Sequence, residues 1–223
     1  MAFTLQNIVP WGREFEEYRR MFALDERDLA NFILGCGDGP ASFNAELTAR
    51  GGQVVSFDPL YAFSREQIEA RIATVRPQIM AQTRAHAGQF VWEYFASPDE
   101  LEVTRMRAMT LFLEDYEAGS AAGRYVNAAL STLPFADHQF DLALCSHLLF
   151  LYSAHLDLKF HLQSLQELLR VAREVRVFPL LDLETNVSAY LQPVLEHFGA
   201  ERAELVAVDY EFQRRGNQML RLR

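Results

Sequence analysis

The sequence predicts an α/β fold: a seven-stranded, mostly parallel sheet with an antiparallel C-terminal hairpin strand and helices on both faces. Three observations support this prediction. Apolar runs alternate with helical patterns and glycines up to residue 58, as in a right-handed βαβ unit. A helical pattern without a convincing strand then extends over residues 63–123. Near the end of the chain, turn-forming residues at 214–217 separate two apolar runs, which indicates a hairpin.

The first half of the chain begins with a predicted N-terminal helical extension over residues 1–30. We expect strands at 31–35 and 53–57, joined by a helix over 41–50 that ends at a glycine pair. A helical insertion is then predicted over about 62–123, where it would cover an active site.

Two helix starts lie inside this insertion. Ser64 opens a capping box, and its helix is predicted to run towards Ala85 with a kink or break at Pro77. Ser97 begins the second helix, because Pro98 suits the first helical position.

The second half of the chain continues the alternation of strands and helices. Its predicted strands cover 123–127, 141–145, 174–178, 204–210 and 218–222. Its predicted helices cover 156–173 and 187–197, the latter closed by a glycine. We interpret residues 1–223 as a single domain.

Composition excludes several classes of function. Half of the residues are hydrophobic, whereas the net charge of -9 argues against a nucleic-acid partner. The two cysteines and six histidines form no metal-binding pattern, so no metal site is predicted. No apolar run suits a bilayer span or a signal peptide, and we expect a cytoplasmic protein without a membrane partner. The oligomeric state is left open, with a homodimer as one option.

A glycine-rich loop follows the first predicted strand. Gly35, Gly37 and Gly39 alternate with Cys36 and Asp38 immediately before a helical pattern. Since glycine lacks a Cβ, such a loop lets the backbone approach a nucleotide-like ligand closely. A simple strand-to-helix connection is the alternative interpretation.

An acidic residue ends the second predicted strand. Asp58 stands nineteen positions after Gly39, close to the spacing at which an acid contacts the ribose of a bound nucleotide. Its carboxylate can accept hydrogen bonds from both ribose hydroxyls. Alternatively, Asp58 only forms a turn with Pro59.

The third motif is a Leu-Pro-Phe loop at 133–135, followed by Phe140 and Asp141 at the start of a strand. With the glycine loop and the acid, it resembles the class I S-adenosylmethionine (SAM)-dependent methyltransferases over roughly residues 31–223. The resemblance implies SAM as cofactor and S-adenosylhomocysteine as product. It also implies that the glycine loop runs under the methionine part of SAM. Contact with the adenine would come from backbone groups or from Leu130, Ser131 and Thr132.

Two positions depart from the family pattern. The family usually has an acid two positions before the first glycine, where this chain has Ile33, and another before the Leu-Pro-Phe loop, where it has Ala129. Asp38, inside the loop, is a candidate replacement for the first acid.

Further site candidates lie at strand ends and in the N-terminal helix. Cys145, Ser146 and His147 end the fourth strand, where parallel sheets bind ligands. His147 is either a base or substrate contact, or a packed histidine, and Cys145 suits the core better than a nucleophile's role. Arg13 and Tyr18 resemble residues that reach SAM from a leading helix, although an ordinary surface helix is the alternative.

The leading hypothesis is therefore a SAM-dependent methyltransferase with a small-molecule acceptor. Methyl transfer depends mainly on alignment of the reactants, which agrees with the absence of an obvious catalytic triad. A non-catalytic SAM- or nucleotide-binding protein, or an inactive partner subunit, is the alternative. The G-x-G-x-G spacing and terminal hairpin argue against an NAD-dependent oxidoreductase.

Overall fold

The computed structural model describes residues 9–223, and it has the predicted α/β architecture. Its seven strands lie in the order β3-β2-β1-β4-β5-β7-β6. Neighbouring strands are parallel, except that β7 is antiparallel to both β5 and β6. The strands are β1 Phe32–Cys36, β2 Gln53–Phe57, β3 Tyr125–Val126, β4 Phe140–Ser146, β5 Ala172–Phe178, β6 Ala203–Ala207 and β7 Gln218–Leu222.

This strand order confirms, at the level of the fold, the resemblance to class I methyltransferases. The chain proceeds outwards from β1 to β3 and then returns to the centre at β4. Ligands of such sheets bind where the strand order reverses, at the carboxyl ends of the strands. The expected site therefore lies above β1 and β4.

Helices cover both faces of the sheet. Helix α1 and α3 share one core cluster with the sheet, whereas α6 and α7 pack on the opposite face. The helices are α1 Phe15–Met21, α2 Glu26–Leu29, α3 Phe43–Ala49, α4 Arg65–Ala85, α5 Pro98–Ala121, α6 Leu158–Val171 and α7 Leu191–Phe198. Within residues 9–223, none of these helices combines the length and apolar character needed to cross a membrane.

The central strand β4 shows why the sheet is buried on both sides. Ala143 and Cys145 belong to the cluster with α6 and α7, whereas Leu142 and Leu144 belong to the cluster with α1 and α3. Successive strand residues point to opposite faces, so a continuous apolar run suits a strand between two helical layers.

Helices α4 and α5, here called the lid helices, occupy the predicted insertion. Both begin where predicted, with Ser64 and Ser97 each accepting a backbone N–H at the helix start. Their apolar faces meet Tyr61 and Tyr125 in a third cluster. Helix α4 continues through Pro77 to Ala85, so the predicted break is wrong, whereas the alternative of a kink there stays a prediction.

Several element boundaries differ from the predictions. The helix predicted from residue 187 begins at Leu191, because Val187 bridges Leu181 and the Ser188 N–H donates to the Leu180 carbonyl at 3.0 Å. Helix α6 ends at Val171, since Ala172 already pairs with Phe140 as the start of β5. The predicted pairing of the last two strands is confirmed, although β6 is shorter than predicted and ends at Ala207.

Candidate functional site

A cavity of about 740 Å³ opens at the carboxyl ends of β1, β2 and β4, and the lid helices form part of its wall. Its volume falls within the range of ordinary ligand sites. Ten residues that the sequence singled out line this cavity: Arg13, Tyr18, Gly37, Asp38, Gly39, Asp58, Pro59, Leu130, Ser146 and His147. The sequence patterns therefore predicted many of the residues at the end of the cavity beside the glycine loop.

Gly35, Cys36 and Cys145 were predicted to contact the cofactor, but they do not line the cavity. The two cysteines face each other across β1 and β4 and are completely buried in the core. Burial and the neighbouring Cys145 raise the pKa of the Cys36 thiol, so this thiol stays protonated and is a poor nucleophile.

Ser131 and Thr132 also lie off the cavity wall. Thr132 bridges back to Ala129, which turns the chain away after Leu130. The next residue, Leu133, is fixed to α6, where Glu167 accepts its N–H and Arg170 donates to its carbonyl. Of the three residues predicted to line an adenine, only Leu130 is at the cavity.

Two glycines of the loop adopt conformations that other residues rarely take. Gly37 and Gly39 have φ values of 65° and 52°, in the left-handed region that glycine enters without strain. The Gly37 N–H donates to the Phe57 carbonyl at 3.0 Å, and the Gly39 N–H donates to Asp58 at 2.9 Å. The loop is thereby tied to the end of β2, beside the cavity.

Asp58 forms the turn that the alternative interpretation expected. Its carboxylate accepts the N–H groups of Gly39 and Leu60 at 2.9 Å and 2.8 Å. Burial raises the pKa of this carboxyl, and the two backbone donors oppose that rise. Two acceptor sites remain on a carboxylate that already accepts two bonds, so a ribose role stays a prediction compatible with this geometry.

Asp38 lies against the inner side of the loop. Its carboxylate accepts the Tyr18 hydroxyl at 2.8 Å and the Ser56 hydroxyl at 2.6 Å. A Cβ at Gly35 would lie 1.8 Å from this carboxylate, so glycine is required there. Asp38 thus anchors the loop to α1 and β2. Whether Asp38 also replaces the acid that the family has at the position of Ile33 stays a prediction.

The burial of Asp38 predicts a pH-dependent contribution to stability. Burial raises its pKa from 3.8 to about 6, so the folded protein holds this proton more tightly than the unfolded chain. Ionisation therefore lowers the free energy of unfolding as the pH rises through this window. Relative to the Asp38→Asn variant, the parent should lose about 2 kcal/mol between pH 4.5 and 7.5 in urea unfolding. A constant difference across this range would contradict the assignment.

Arg13 is a cation on the cavity wall, and it forms no salt bridge with the residues that the structure describes. Its guanidinium donates to the Trp11 carbonyl at 3.2 Å, and its Nε–H has no partner among residues 9–223. Burial and the nearby Arg105 lower its pKa to about 10, which still leaves it charged at neutral pH. This partly buried positive charge beside the glycine loop favours an anionic ligand group.

Sequence reasoning missed a buried ion pair next to Arg13. Glu17 and Arg105 are 0% and 1% exposed, and both terminal nitrogens of Arg105 donate to the Glu17 carboxylate. The Tyr210 hydroxyl donates to the same carboxylate at 2.6 Å. A sequence signal existed: Arg105 lies one turn from both Leu101 and Met109, on the apolar face of α5.

His147 faces the cavity at the end of β4. Its Nδ1 lies 3.0 Å from the Ser146 hydroxyl oxygen, and its backbone N–H donates to the Phe178 carbonyl at 2.7 Å. Burial and the charges of Arg13 and Arg105 hold its pKa well below the usual value, so the ring is neutral at pH 7. A neutral imidazole is able to accept a proton, and a catalytic or substrate-contact role stays a prediction.

Comparisons with known proteins identify one close relative. No protein-family model matches the chain. The uncharacterized protein MJ0045 of Methanocaldococcus jannaschii is 34% identical over 221 residues, which cover 99% of this chain and 98% of that protein.

Solved structures show weaker likenesses. WbdD, solved with a kinase inhibitor, is 12% identical with a TM-score of 0.45; the match covers 93% of this chain but only 38% of WbdD. A proposed SAM-dependent methyltransferase from Methanococcus maripaludis is also 12% identical, with a TM-score of 0.44 and coverages of 93% and 81%. The fold assignment rests on the order and directions of the seven strands, not on these two matches.

Proposed function

The chain belongs to the same family as the uncharacterized protein MJ0045 of Methanocaldococcus jannaschii, and we propose that it is a SAM-dependent methyltransferase with a small-molecule acceptor. One observation carries this proposal. The guanidinium of Arg13, which has no salt bridge within residues 9–223, and the carboxylate of Asp58 lie on one cavity, together with the glycine loop. These groups match the charges and hydroxyls of SAM.

Each end of the cofactor would meet a different part of the wall. The SAM carboxylate would pair with Arg13, whose planar fork suits two parallel hydrogen bonds to a carboxylate. The ribose hydroxyls would donate to Asp58, and Leu130 would contact the adenine. Tyr18 acts indirectly, because its hydroxyl holds Asp38 and thereby the glycine loop.

The chemistry requires alignment more than acid–base groups. When bound, SAM would supply a methyl group on a positively charged sulfur; an electron pair of the acceptor would form the new bond as the carbon–sulfur bond breaks, and S-adenosylhomocysteine would be left. The protein would hold the acceptor in line and exclude water, which lowers the entropic part of the barrier. His147 would accept a proton that the acceptor loses.

The non-catalytic alternative predicts no room beside the methyl group. The cavity instead extends beyond the glycine loop to the lid helices, where Ile79, Thr83 and Leu101 line it. This additional space supports an enzyme over a protein that only binds the cofactor.

Isothermal titration calorimetry with SAM, S-adenosylhomocysteine and NADH tests the proposal. We expect micromolar dissociation constants for the first two ligands and no binding of NADH. If neither SAM nor S-adenosylhomocysteine binds at high micromolar concentration, the proposal is wrong.

The ribose contact has a separate test. The Asp58→Asn variant loses the charge and turns its NH2 group towards one of the two backbone N–H donors, so affinity should fall by at least about tenfold. Because S-adenosylhomocysteine and 5′-methylthioadenosine share the ribose, calorimetry should find the same loss for both. Unchanged affinities would leave Asp58 with its turn role alone.

A further inference from the structure

The part of the cavity away from the glycine loop is mainly apolar, and no acid among the described residues lines it. Asp38 and Asp58 both lie at the loop, and no other Asp or Glu lines the cavity in the described chain. The far walls consist mainly of aliphatic and aromatic side chains, among them Phe63, Ile68, Ile79, Leu101, Leu183 and Phe212. An acceptor bound there would meet a surface suited to an apolar body.

Three arginines line the same cavity. One of them has a partner in the structure, and a second has a partner in the proposed cofactor complex. Arg105 is neutralised by Glu17 through two hydrogen bonds. Arg13 lies beside the glycine loop, where the proposed cofactor carries its carboxylate. Of these three arginines, Arg71, on the lid helix α4, is the one left without an anion among the described residues.

Arg71 differs from the other arginines of α4. Arg65 pairs with Glu69, whereas Arg76 and Arg84 both pair with Glu102. Arg71 is exposed at the cavity and forms no ion pair or hydrogen bond with the residues that the structure describes. The positive charge of Arg71 therefore lies beside the mainly apolar part of the cavity, here called the apolar chamber.

We propose that the methyl acceptor is an apolar small molecule with one anionic group, a carboxylate or a phosphate, which Arg71 binds at the mouth of the cavity. The proposal rests on the methyltransferase function above and names its substrate class. The apolar body would pack against the far walls and direct the acceptor atom towards His147 and the methyl group.

Charge explains why a cationic acceptor is disfavoured. An ammonium group in the chamber would lose its hydration without gaining a carboxylate partner, and it would be repelled by Arg71. An anionic group at the mouth remains partly hydrated while gaining hydrogen bonds from a guanidinium.

Four naphthalene probes test the proposal by calorimetry with protein saturated with S-adenosylhomocysteine. The probes are 2-naphthoate, 2-naphthyl phosphate, 2-naphthol and 2-naphthylmethylamine. At least one anion should bind about tenfold more tightly than both the neutral alcohol and the amine. Preference for either the carboxylate or the phosphate supports the proposal and identifies the anion.

Variants assign the preference to one side chain. Arg71→Ala should remove the preference for the anion, and Arg71→Glu should shift it towards the amine. Arg76→Ala, on the same helix but off the cavity, should leave it unchanged. Equal or tighter binding of the amine, an anion preference that survives in Arg71→Ala, or no binding of any probe would overturn the proposal.

The proposed acceptor class and the proposed methyltransferase function can be contradicted separately. If S-adenosylhomocysteine binds but the naphthalene anions show no preference, only the acceptor class is wrong. If S-adenosylhomocysteine does not bind, the proposed function is wrong and this inference falls with it.

Discussion

Replacement of Arg13 by alanine is expected to weaken the binding of S-adenosylhomocysteine about 10- to 100-fold. The guanidinium lies on the cavity wall without an acidic partner, and its Nε–H has no acceptor in the described chain. A ligand carboxylate would therefore gain charge-assisted hydrogen bonds without displacing an existing ion pair. Calorimetric dissociation constants for the parent and the variant measure the loss.

A second ligand separates this contact from general damage to the site. 5′-Methylthioadenosine lacks the amino acid part of the cofactor, so its affinity should be nearly the same in parent and Arg13→Ala. Arg13→Lys should recover part of the affinity, because it restores the charge but not the planar fork. Arg27→Ala, at an exposed position on α2, is the matched control. Equal losses for both ligands would contradict the carboxylate contact.

Replacement of Glu17 is expected to cause the largest loss of stability. Glu17 accepts hydrogen bonds from Arg105 and Tyr210 in a fully buried position. Burial would raise the pKa of its carboxyl, but the Arg105 charge holds it below the usual value, so the pair is ionised. Glu17→Ala leaves the Arg105 charge buried without a partner, which should cost about 3–5 kcal/mol in urea unfolding.

Two further variants are compared with Glu17→Ala in the same urea unfolding experiment. Glu16→Ala removes a carboxylate that is 43% exposed and pairs with Arg20 on the surface, so its effect should stay within about 0.5 kcal/mol. Tyr210→Phe removes one hydrogen bond to Glu17 and should cost about 1 kcal/mol. A Glu17→Ala loss no larger than that of Glu16→Ala would mean that the buried pair contributes little.

The sequence predicted the sheet and the loop end of the cavity because those features follow from local patterns. Apolar runs identified the strands, while Gly35 to Gly39 and Asp58 lie where a strand ends. Positive φ at Gly37 and Gly39 agrees with the loop expected from their spacing. Local sequence and tertiary structure favour the same conformation in these segments.

The remaining features depend on contacts between distant residues. Glu17 and Arg105 are separated by 88 positions, and only the packing of α1 against α5 brings them together. Ser131 and Thr132 leave the cavity because Glu167 and Arg170, on α6, hold the following segment. The sequence could not identify Arg71, because the ion pairs of the other arginines depend on the tertiary structure.

The central claim is that the glycine loop, Arg13 and Asp58 hold SAM in one orientation. A crystal structure with S-adenosylhomocysteine tests it most directly. We predict the ligand carboxylate at Arg13, the ribose at Asp58, and the sulfur facing the apolar chamber beneath the lid helices. A ligand bound outside this cavity, or bound with its carboxylate away from Arg13, would contradict the claim.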